Sequence, residues 1–143
     1  MATVELRFSA LPEHVRTARL VAAAVARRAG VDEAVLDEVR LAVGEACTRA
    51  VGLHQHVGIT APVTVSLIEE EKQFSIEVGD EAPHAAPGAR PPGTAAEDAE
   101  AEEDEMGLAV ISGLVDDVEV TADEDGGLIR MTWPTAPAVL PQI

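Results

Sequence analysis

The stretch Leu36–Val51, LDEVRLAVGEACTRAV, decides the fold. Leu36, Val39, Val43, Ala46 or Cys47, and Ala50 recur three or four residues apart, the spacing of a helix with one buried stripe. Glu38, Glu45 and Arg49 fall on a second face with Leu41. Glu45 and Arg49 stand four residues apart, so they project together. A helix of this kind either floors a ligand site or carries an ordinary surface ion pair, and the flanking sequence has to decide between the two.

On the N-terminal side, Thr3–Phe8 alternates, with Val4, Leu6 and Phe8 on one face and Glu5 and Arg7 on the other. This predicts a half-buried strand. Pro12 and Glu13 open a helix, because a proline loses nothing in a first turn. Val15, Ala18, Val21, Ala22, Val25 and Ala29 form its apolar stripe. Arg27 and Arg28 suit its negative end, and Gly30 stops it. Asp32 is the expected N-cap of the central helix, which is expected to run out near Gly52–His56.

On the C-terminal side, Val63–Ile68 and Phe74–Gly79 alternate around a polar turn at Glu69–Lys72, which predicts an antiparallel hairpin. Composition then changes. Asp80–Glu105 holds four prolines and the run EDAEAEEDE from Glu97, seven acids in nine residues. Mutual repulsion and the lack of an apolar pattern predict a flexible, lid-like segment over 80–105. Met106–Val115 returns to helical offsets, and Asp116–Asp117 ends them. Val118–Thr121 and Leu128–Trp133 read as strands joined by an Asp- and Gly-rich turn. The proline-containing tail from Thr135 to Ile143 is expected to trail along the surface.

The resulting order is strand, helix, helix, strand, strand, flexible segment, short helix, strand, strand. It predicts one domain over residues 1–143, with a mixed, mainly antiparallel five-stranded sheet and three helices on one face. The formal net charge of −16 argues against direct nucleic-acid contact and against anionic lipid. No apolar run reaches about 18 residues, so no membrane span is expected, and the N-terminus lacks the basic-then-apolar order of a signal peptide. The single cysteine, Cys47, reads as a small core residue, and one cysteine fits a reducing compartment, so a cytoplasmic location is expected. His54 and His56 lack companions at metal-ligand spacing and read as loop or helix-end histidines, so no metal site of protein side chains is expected.

No nucleophile elbow, zinc-protease helix or phosphate-loop motif occurs. Three other features stand out: Glu45 with Arg49 on the helix, Asp80 at a strand end, and Gly107 at a helix start. A helix carboxylate can orient a nucleophile toward a phosphoryl group. A strand-end acid can accept an amino hydrogen or simply cap a turn. A glycine at a helix start allows close backbone approach beside free N–H groups.

In this order, EACTRA at Glu45–Ala50, VGD at Val78–Asp80, MGLAVISGLVDDVEV from Met106 and GGLIRMTW from Gly126 resemble the small ATPase domains of bacterial anti-sigma factors. These are serine-kinase members of the histidine-kinase-like (GHKL) ATPase superfamily, and the resemblance runs from Val4 to Trp133. It implies a Bergerat-type α/β sandwich and a homodimer that binds a sigma factor and exchanges it for an anti-anti-sigma antagonist. It implies ATP and Mg²⁺ as cofactors, Glu45 as the general base toward a partner serine, and Asp80 and Gly107 around the nucleotide.

The chain departs from the pattern at three places. Arg49 stands where the family has a metal-binding Asn, and as a cofactor-binding residue it would meet phosphate directly in place of the metal. Glu81, Ala82, Pro83 and His84 stand where glycines follow the Asp. Glu105 stands where a glycine precedes Gly107. The expectation is therefore a regulator that binds a sigma factor and/or its antagonist with weak or no kinase activity. The alternatives are an active serine kinase and a scaffold module that binds no nucleotide.

Overall fold

The computed structural model describes residues 2–84 and 106–135. Its elements are β1 (Ala2–Phe8), α1 (Glu13–Ala29), α2 (Leu36–Val57), β2 (Val63–Glu70), β3 (Gln73–Asp80), α3 (residues 106–114), β4 (Asp117–Asp123) and β5 (Gly126–Pro134). The five strands form one sheet in the order β1-β2-β3-β5-β4, and every pairing in it is antiparallel. The order follows from the connections. β2 and β3 are joined by a tight turn in which Lys72 takes a left-handed φ of 69°. After β3 the chain reaches β4 through α3, and β5 then folds back between β3 and β4.

Helices and sheet meet over a core supplied by alternate strand residues. Val63, Val65 and Leu67 of β2, Phe74, Ile76 and Val78 of β3, and Ile129, Met131 and Trp133 of β5 are all buried. Against them lie Leu36, Val39, Val43, Ala46, Cys47 and Ala50 of α2, the stripe expected from the sequence. α1 packs on α2 through Ala18, Ala22 and Ala26, whose small side chains let the two backbones approach. Burying large side chains such as Phe74 and Leu36 contributes about 1.5–3 kcal/mol each relative to exposure.

The helix ends follow local chemistry. Gly30, at φ 101°, closes α1, and its N–H donates to the Arg27 carbonyl at 3.2 Å. The Asp32 carboxylate accepts from the Ala34 N–H at 2.9 Å and caps a short 3₁₀ turn, Glu33–Val35, that leads directly into α2. α2 stops within a residue of its expected end near Gly52–His56. It continues to Val57 and ends at Gly58, whose φ is 70°. Gly52 costs a helix about 1 kcal/mol, but Val51 and His54 beside it belong to the buried stripe and hold the helix through that point.

Of the expected flexible stretch, Asp80 closes β3, residues 81–84 are described, and residues 85–105 lie outside the described residues, as does most of the tail, residues 136–143.

Candidate functional site

α2 crosses the end of β3, and the four residues singled out in the sequence meet there in two pairs. Glu45, half-buried on α2, lies beside the start of α3: a methyl group placed on the buried Gly107 would sit 3.6 Å from Glu45 Oε2. The carboxylate thus faces the positive end of a helix. One turn along α2, Arg49 Nη1 lies 3.9 Å from Asp80 Oδ2, and the two side chains are only 7% and 2% exposed. The sequence placed both Arg49 and Asp80 at a cofactor site. In the fold they form an ion pair with each other.

Asp80 has further partners. Its Oδ1 accepts from the Ala82 N–H at 3.0 Å and from His84 Nε2 at 2.9 Å. The chain turns sharply after β3, so His84 folds back over the acid four residues before it. Two glycines make room for this. A Cβ on Gly127, which pairs with Asp80 across β3 and β5, would lie 2.7 Å from His84 Nε2 and 2.8 Å from Asp80 Oδ2. A Cβ on Gly126, whose φ is 150°, would collide with the Asp80 carbonyl oxygen.

His54 is the residue whose part in the site the sequence reading missed. It stands in the last turn of α2, a helix-end position as expected, but fully buried on the core stripe. Its Nδ1 lies 2.9 Å from the Ala61 carbonyl oxygen, and its Nε2 accepts the Glu81 N–H at 2.9 Å. A carbonyl can only accept and an amide N–H can only donate. The ring is therefore the neutral tautomer with its proton on Nδ1. The clue was in the spacing, because His54 stands four residues after Ala50 and three after Val51.

Cys47 is buried as expected, and burial pushes its thiol up to about 12. A guanidinium has no lone pair to offer a cation, so Arg49 cannot act as the metal ligand that the resemblance places at its position. Among the described residues, no three His, Cys, Asp or Glu side chains gather in a way that could hold a metal ion, and no helix is long and apolar enough to cross a membrane.

A five-stranded antiparallel sheet covered on one face by helices, with charged side chains gathered where the central helix crosses a strand end, is the architecture of the Bergerat-type ATPase fold. The chain belongs to the family described as "Histidine kinase-like ATPase domain", whose model matches residues 8–133. Among curated proteins, it is 31% identical over 139 residues to the serine-protein kinase RsbW of Bacillus pumilus, covering 90% of this chain and 83% of that protein. It is 28% identical over 127 residues to the anti-sigma F factor of Clostridium acetobutylicum, covering 87% of each. Among solved structures, the RsbU and RsbW domains of Rv1364c from Mycobacterium tuberculosis share the fold, with a TM-score of 0.67 at 16% identity. That match takes in 100% of this chain and 35% of the longer one, so this chain spans about a third of it.

Proposed function

We propose that this protein is a partner-switching regulator of the anti-sigma type, which binds a sigma factor and/or an anti-anti-sigma protein as a homodimer and transfers phosphate weakly or not at all. Family membership and the names of its relatives support the regulatory part. The Arg49–Asp80 pair carries the second part. In this reading a cation occupies the place of the metal ligand and neutralises the acid that would read the base. Nucleotide chemistry would have to break a buried ion pair before it began, which is strongly unfavourable when a charge is left uncompensated.

One observation favours the alternative, an active serine kinase. The Glu45 carboxylate stands beside Gly107 at the start of α3, where a general base would be wanted. Incubation with Mg²⁺, labelled ATP and a cognate anti-anti-sigma protein separates the two. The expected result is stable association with sigma factor or antagonist and no more than trace transfer. Transfer that is stoichiometric and lost in Glu45→Gln would establish the kinase. A folded protein that associates with neither partner would leave the scaffold reading.

A further inference from the structure

We infer that His84 is a built-in plug on the Asp80 carboxylate, and that it excludes a purine or any similar amino-bearing ring from this site. The inference deepens the reading of the protein as a regulator with little or no kinase activity, and it rests on that reading. It uses a different residue and a different contact.

The plug is an over-determined piece of chain. Within Glu81–His84, the Glu81 N–H is held by His54, the Ala82 N–H by Asp80 Oδ1, and the His84 N–H by the Asp123 carbonyl at 3.0 Å. The Ala82 side chain is buried at 1% exposure. The His54 anchor comes from α2 and the Asp123 anchor from the end of β4, so His84 is fixed from two sides of the sheet end. The ring then has little choice of position: its side chain is 13% exposed and lies against Asp80 Oδ1 at 2.9 Å.

The space it fills exists because Gly127 has no side chain. That cradle, open to the carboxylate and bounded by backbone, is where a flat nitrogen heterocycle would dock. The imidazole is itself such a ring, and its N–H supplies the donor that Asp80 Oδ1 would otherwise take from a ligand amino group. An incoming purine must displace the ring, replace its hydrogen bond and unseat a segment held at both ends. A carboxylate already bonded in this way has little to offer the newcomer, because ligand and plug make bonds of the same kind.

The test is titration of the full-length protein with adenosine and with ATP, with and without Mg²⁺, followed by calorimetry and by the ¹⁵N signals of the His84 ring. The unaltered protein is expected to show no saturable binding up to about 1 mM, with the ring signals unmoved. His84→Ala and His84→Ser are each expected to gain adenosine binding by about tenfold or more. Saturable binding by the unaltered protein with affinity equal to that of the variants overturns the plug. So does a folded variant, checked by circular dichroism, that gains nothing. If neither variant folds, the ring signals of the unaltered protein decide: a shift on adding excess adenosine overturns the proposal.

Partner association is measured separately, so the two readings fail separately. A gain of adenosine binding in His84→Ala without any sigma-factor association would keep the plug and remove the regulator. Association together with ATP binding by the unaltered protein would do the reverse.

Discussion

Cys47 has no exposed surface, and burial is what acts on its thiol. Desolvation disfavours the charged form, which is why its thiol is pushed from the usual 9.0 up to about 12. The native protein should therefore resist iodoacetamide at about pH 8 and react only on unfolding. The sign of the pH dependence follows. Above 9.0 the unfolded chain loses this proton while the folded chain keeps it, so ionisation favours the unfolded state. The stabilisation is complete below pH 9.0 and is lost as pH rises toward about 12. Over that interval urea midpoints of the parent should fall more steeply than those of Cys47→Ala, by at most about 1.4 kcal/mol per pH unit. Parallel slopes would mean that the thiol ionises in the folded state.

At the scale of elements, α2 is a beam to which other pieces are fastened. Its core stripe seats on β2, β3 and β5, Arg49 meets the end of β3, and His54 ties the Ala61 loop to Glu81. His54→Ala empties a fully buried side-chain position and leaves the part-buried Ala61 carbonyl and Glu81 N–H without their ring partner. The expected cost is about 2–4 kcal/mol, read as a lower urea midpoint, with faster hydrogen exchange at the Glu81 amide. Exchange there at the parent rate would show that His54 does not hold that amide. The elements themselves were legible in the sequence because each follows local rules: the stripe from Leu36 to Ala50, the glycine stop at Gly30, and the alternation in β2, β3 and β5. The partners in the site were not. Glu45, Arg49, Asp80 and Gly107 could be picked out by type and spacing. That Arg49 would pair with Asp80 depends on α2 crossing β3. That His84 would lie on Asp80 depends on a glycine 43 positions later in the chain, brought alongside by the sheet. Neither fact has a local signature.

Taken whole, the molecule carries a net charge of −16, and the run from Glu97 to Glu105 concentrates seven of its acids. A surface of this sign steers a basic partner more than it tightens the final complex. On the proposed function, association with a sigma-factor partner should slow by about tenfold between about 50 and 500 mM salt. Amide replacements across Glu97–Glu105 should flatten that dependence with little change in dissociation rate. Rates unaffected by both would remove the acidic run from the recognition step. The strand order has a consequence in time as well as in space. β5, the last strand in sequence, sits second from the edge between two strands made before it. Until it emerges, β4 has no neighbour to pair with and β3 presents an open border to any strand nearby. During synthesis the first three strands and both long helices, and with them the Arg49–Asp80 pair, can assemble early, while the imidazole cover of Asp80 waits for β4 and β5, whose Asp123 carbonyl holds the His84 N–H and whose Gly127 leaves room for the ring. The site is thus finished in the closing step of folding, and a ribosome that stalls before residue 126 would leave behind an aggregation-prone sheet edge in place of a regulator.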